Sequence, residues 1–103
     1  MGDFDEIKRL VNSDQFIISN HARNRMFQRN ITTDMIIEMI ANGEIIEEYS
    51  DDFPCPSVLV LGYTNQDPLH VVVGHCGDHV RIIMVYKPDK GLWIEHKKRI
   101  RKT

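Results

Sequence analysis

The chain has 103 residues, of which 42% are hydrophobic and 27% charged, with 15 acids against 13 Lys and Arg. That composition is ordinary for a globular protein and long enough for a single core, so one domain is expected over 1–103. No apolar run approaches the ~20 residues that cross a bilayer, and the acidic start Met1-Gly2-Asp3-Phe4-Asp5-Glu6 has neither the form of a secretory signal nor a myristoylation pattern.

Asp3-Phe4-Asp5-Glu6 fits a capping box with Asp3 as cap. Phe4, Ile7 and Leu10 or Val11 then recur at helical spacing, which predicts a first helix ending near Asn12–Asp14. Phe16–Ser19 is a short extended piece leading into a basic helix that starts at Ser19 or Asn20 and stops at Asn30. Thr32 or Thr33 caps the next helix, which runs to about Ala41 and ends at Asn42-Gly43, with Met35, Ile36, Met39 and Ile40 on its buried face.

Beyond Gly43 the period becomes extended. Glu44–Ser50 reads as a strand with acids on its open face, and Asp51-Asp52-Phe53-Pro54-Cys55-Pro56 as a loop. Ser57–Thr64 is a second strand, followed by a turn at Asn65-Gln66-Asp67-Pro68. Leu69–Cys76 and His79–Lys87 form a hairpin around Gly77-Asp78, and Pro88-Asp89-Lys90-Gly91 closes it. Leu92–Thr103 is a basic tail anchored by Trp93, Ile94 and Ile100, with a last helix as one form it can take. The expected class is α+β, with N-terminal helices packed on an antiparallel sheet of about four strands.

Cys55 and Cys76 do not make a disulfide framework, so the expectation is a cytoplasmic, reduced protein with two free thiols and no cofactor. Charge is unevenly placed. Between Asn30 and Val80 there are nine acids and no Lys or Arg, and all 13 basic residues lie in the two flanks. If the flanks meet in space, a basic and an acidic surface share one small body, and the basic one attracts polyanions.

The basic helix concentrates that charge. At about 100° per residue, His21, Arg25, Gln28 and Arg29 fall within roughly a third of its circumference. Ala22 and Met26 lie beside this stripe and face a core, while Arg23 points away. An imidazole beside two guanidiniums suits a phosphate, because Arg offers a planar fork of donors and His moves a proton near neutral pH.

Pairing Cys76 with His79 across the hairpin turn sorts its residues into two faces. Leu69, Val71, Val73, His75, Val80, Ile82, Met84 and Tyr86 make the core-facing set. His70, Val72, Gly74, Cys76, His79, Arg81, Ile83, Val85 and Lys87 make the other. His75-Cys76-Gly77-Asp78-His79 contains zinc-ligand residue types, but its spacing matches no closed site, so no metal is expected. Neither a nucleophilic triad nor a glycine-rich phosphate loop is present.

Three segments together resemble a family of small bacterial and archaeal proteins known as a domain of unknown function. They are Ile17-Ile18-Ser19-Asn20-His21-Ala22 with Arg25-Met26 and Arg29-Asn30-Ile31; Pro56–Tyr63 with Leu69-His70-Val71-Val72-Val73; and Ile82–Asp89 with Trp93 and Arg99. The family is similar to the RelE, BrnT and MqsR toxins of toxin–antitoxin pairs, which share an α+β fold and cut RNA without a metal. The resemblance implies that His21, Arg25, Arg29, His70 and Tyr86 matter, and that the partner is RNA together with an antitoxin of the zinc-finger MqsA type.

The expected activity is metal-independent endoribonuclease action through attack of the RNA 2′-hydroxyl. His21 is the candidate base or acid, Arg25 and Arg29 the phosphate clamp, and His70 or Tyr86 the second proton-transfer group. Arg81, Lys87, Trp93, Lys97, Lys98 and Arg99 are candidate RNA contacts, with Trp93 able to stack a base. A homodimer is compatible with this reading. The alternative is a non-catalytic RNA- or protein-binding module.

Overall fold

The computed structural model describes residues 2–64, 67–88, 93–94 and 98–99. Three helices come first: α1 (Gly2–Asn12), α2 (Asn20–Gln28) and α3 (Thr33–Asn42), with β1 (Phe16–Ile18) between α1 and α2. Then follow β2 (Glu44–Tyr49), β3 (Ser57–Thr64), β4 (Asp67–His75) and β5 (Val80–Tyr86). A separate pair, β6 (Trp93–Ile94) and β7 (Lys98–Arg99), is antiparallel. This is the expected α+β class, with the helices packed on the sheet.

Four expectations are corrected. Helix α1 already includes Gly2, so Asp3 lies inside it rather than capping it. Glu6 instead accepts a 2.9 Å hydrogen bond from Arg9 Nε one turn on. The piece Phe16–Ile18 is a strand that pairs parallel with β5. The sheet is therefore mixed and five-stranded, in the order β1-β5-β4-β3-β2. A three-residue strand gives too short a run for period-two patterning to register, so only the tertiary pairing reveals it. In the tail, residues 93–94 and 98–99 are extended and paired rather than helical.

The fourth correction concerns the thiols. Cys55 and Cys76 form a disulfide with a Cα–Cα distance of 5.2 Å. The β3–β4 ladder runs from Thr64↔Asp67 to Ser57↔Gly74 and continues in a 2.8 Å bond from the His75 N–H to the Pro56 carbonyl. The next facing pair along that ladder is Cys55 and Cys76. Backbone pairing thus delivers the two sulfurs to bridging range, a relation that sequence spacing does not reveal.

The core lies between the helices and one face of the sheet. Ile7, Leu10 and Val11 of α1, Ala22 and Met26 of α2, and Ile36, Met39 and Ile40 of α3 meet Val58, Val60, Leu69, Val71, Val73, Val80, Ile82 and Val85. Gly62 allows this approach, since a Cβ there would sit 3.0 Å from Met39 Cβ. None of the described helices is long and apolar enough to cross a membrane.

Candidate functional site

Helix α2 begins where the sequence places it. Ser19 caps it, its Oγ accepting a 3.0 Å bond from the Ala22 N–H. The same hydroxyl donates to the Ile83 carbonyl at 2.8 Å, and the Ser19 N–H donates to the Ile82 carbonyl at 2.9 Å. One serine therefore both starts the helix and pins it to β5. Ser19→Ala is expected to cost about 1–2 kcal/mol in chemical denaturation, the range of a lost helix cap. Ser19→Thr, which keeps the hydroxyl, should recover part of that.

With Ala22 and Met26 buried, α2 turns His21, Arg23, Asn24, Arg25, Phe27 and Gln28 to solvent. Arg29 closes the helix, its N–H bonded to the Arg25 carbonyl at 3.1 Å. Asn30 follows with φ 56°, a left-handed conformation that Asn tolerates better than most residues. This bend sets Arg29 and Asn30 over a cleft of about 250 Å3 whose far wall includes Thr64, Asp67 and Lys87. The two basic flanks of the chain meet here. None of Arg23, Arg25, Arg29 and Lys87 lies within ion-pair distance of a carboxylate among the described residues. Arg25 precedes Arg29 by one helical turn, so these two and Lys87 share one side of α2, while Arg23 points away toward a second cleft.

His70 and Tyr86 are also together, but elsewhere. His70 is 0% exposed, its Nδ1 is 3.2 Å from the Tyr86 hydroxyl, and the rings meet edge to face at 5.2 Å. The expected hairpin register holds for His75↔Val80, Gly74↔Arg81 and Val73↔Ile82 and then shifts, so that Val72 faces Met84 and His70 faces Tyr86. Ile83 is the extra residue of a β-bulge. The bulge moves Met84 and Tyr86 off the core-facing set, puts Val85 on it and brings Lys87 round to the α2 side, correcting four assignments at once. It is also the place where Ser19 docks.

The consequence is a division of the expected centre. His21, Arg25 and Arg29 belong to α2, which packs on the core face of the sheet. His70 and Tyr86 project from the opposite face, with the sheet between. Arg81 shares that opposite face but pairs with Gly74, four residues along β4 from His70, about 13 Å at normal strand rise. Of the remaining candidates, Lys97 lies outside the described residues, as do the side chains of Trp93, Lys98 and Arg99.

Three contributors carry no mark in the sequence reading. Thr64 and Asn30 line the cleft, yet as a strand end and a helix stop they carry no signal of it. Phe27 is 87% exposed beside Arg23, with both lining a second cleft. Its helical phase, away from Ala22 and Met26, is the signal that was there to read.

Fold and surface define a small α+β domain with a basic helix on one side of a mixed sheet and, on the other, a His70–Tyr86 pair in which the histidine is buried and the tyrosine half-buried. The chain belongs to the family described as Domain of unknown function (DUF4258), whose model matches residues 18–87. That span takes in α2, the cleft and the His70–Tyr86 pair. No curated protein and no solved structure matches the chain.

Proposed function

We propose that this protein binds RNA along the exposed side of α2 and in the cleft shared by Arg29 and Lys87. The observation that carries the reading is the grouping of Arg25, Arg29 and Lys87 without carboxylate partners among the described residues, two of them facing one cleft. Guanidiniums and an ammonium so placed match a run of phosphates, and Asn30 and Thr64 add neutral donors for the same oxygens. Arg25 and Arg29 also sit toward the C-terminal end of α2, where cations oppose the helix dipole, so part of their placement serves the helix itself.

A nuclease reading narrows to this same surface. In metal-free cleavage the 2′-oxygen loses its proton and forms a bond to phosphorus, the bond to the 5′-oxygen breaks, that oxygen takes a proton from solvent, and a 2′,3′-cyclic phosphate and a 5′-hydroxyl result. His21 is the exposed imidazole on the helix that carries Arg25, so it is the group to take the 2′-proton. His70 and Tyr86, across the sheet, do not reach a phosphate held there. The binding reading is therefore the stronger, and cleavage rests on His21. The likeness to RelE-, BrnT- and MqsR-type toxins rests on the sequence segments that form α2, β3, β4 and β5. Such a cytoplasmic toxin would pair with an antitoxin of the zinc-finger MqsA type.

The test is single-stranded RNA, labelled at its 5′ end, titrated with wild type, His21→Ala and Arg25→Ala in EDTA at low salt. Anisotropy reports binding and a denaturing gel reports cutting. Wild type and His21→Ala are expected to bind alike, and Arg25→Ala several-fold more weakly. Fragments from wild type alone would add the nuclease. Folded wild type that leaves RNA unbound would end the proposal.

A further inference from the structure

The strand ends opposite the Arg29–Lys87 cleft gather a different set of residues. The β3–β4 register places Cys55 across from Cys76. On its other side Cys76 faces His79, its N–H donating to the His79 carbonyl at 2.9 Å. Facing residues of an antiparallel ladder share a side of the sheet, so Cys55, Cys76 and His79 form one row across three chain segments. All three are half-buried and so within reach of small solutes. Cys76-Gly77-Asp78-His79 is a tight turn that brings a sulfur-bearing residue and a histidine to facing positions at its base. Gly77 gives the turn its left-handed residue at φ 84°.

The histidine is also prepared. His79 Nδ1 lies 2.8 Å from Asp78 Oδ1. A carboxylate only accepts, so Nδ1 carries the proton and Nε2 is the ring atom left to bind a metal. Carboxylate, histidine and metal in this order are the usual support of a ligating imidazole.

With the disulfide closed, the sulfurs are not thiolates, and no three His, Cys, Asp or Glu side chains among the described residues form a metal set. We infer that opening the Cys55–Cys76 disulfide creates a zinc site made by Cys55, Cys76 and His79 Nε2. A dithiol reductant supplies the two electrons. Its two S–H protons pass to the cysteine sulfurs and it closes to its own cyclic disulfide. Zn2+ then displaces both thiol protons to solvent, and water completes a tetrahedral shell. The metal and the disulfide are alternative clasps on the same open end of the β3–β4 ladder, one for each redox state.

The experiment uses the full chain, oxidised or reduced with a phosphine that is then removed, under anaerobic conditions. Co2+ is added as a spectroscopic probe, and Zn2+ affinity is read by competition with a chromophoric chelator. Reduced wild type is expected to take one metal per chain with a thiolate-to-cobalt absorption band, and the oxidised protein none. Cys55→Ser and Cys76→Ser should each abolish the band. His79→Ala keeps both cysteines and should weaken zinc binding, and Asp78→Asn should weaken it about 10–100-fold through the lost support of the ring. His75→Ala, on the other side of the strand, should bind as wild type does. Equal binding by oxidised protein, wild-type affinity in His79→Ala, or no metal on reduced wild type would each overturn the assignment. So would a reduced chain that loses its circular dichroism and does not regain it with Zn2+.

Discussion

Opening the Cys55–Cys76 disulfide in the presence of a chelator is expected to lower the stability of the domain by about 3 kcal/mol. The bridge spans a sequence separation of 21 residues. Closing a loop of that size removes conformational freedom chiefly from the unfolded chain. For a domain of this length the loss corresponds to a fall in melting temperature of about 10–20 °C. Thermal melts with and without reductant measure it directly. The Cys55→Ser/Cys76→Ser double variant should melt with reduced wild type and ignore the reductant. Matching melts for oxidised and reduced protein would show that the β3–β4 ladder holds its open end without the bridge.

Removing either cation of the cleft is expected to weaken RNA binding by about ten- to a hundredfold at low salt, the range for one lost charge-assisted hydrogen bond. Arg29→Ala and Lys87→Ala come from opposite ends of the chain but line the same cleft, so their effects should be less than additive. Each should also flatten the logarithmic salt dependence by about 0.7, the amount carried by one phosphate contact on a single strand. Fluorescence anisotropy across a salt series gives both quantities. Arg81→Ala is the informative comparison, because Arg81 lies on the opposite sheet face. A larger loss from Arg81→Ala than from Lys87→Ala would move the RNA to that face and to the His70–Tyr86 pair.

The Ile83 bulge shows where sequence reasoning stops. A hairpin of strict period two sends Tyr86 into the core and His70 away from it. One extra residue brings them to the same side, in hydrogen-bonding contact. Nothing in Ile82-Ile83-Met84-Val85 announces the bulge, since each residue is apolar and suits either face. What holds it is a contact from 64 residues away, the Ser19 hydroxyl on the Ile83 carbonyl.

The sequence by itself determined the order and type of the helices and longer strands, because each follows from local signals. The caps narrow to Ser19 or Asn20 and to Thr32 or Thr33, of which the structure uses Ser19 and Thr32; Ala22 and Met26 recur at helical spacing toward the core, and Ser57–Thr64 is a strand with the bounds expected of it. It also determined that α2 is basic, with no acid between Asp14 and Asp34. The tertiary structure alone decided which distant residues meet. It brought Lys87 to Arg29, Cys55 to Cys76 and Tyr86 to His70, and it placed the sheet between His21 and His70. Each of those relations depends on strand order and register, which are fixed by pairing across the whole chain and have no counterpart in any local window of it.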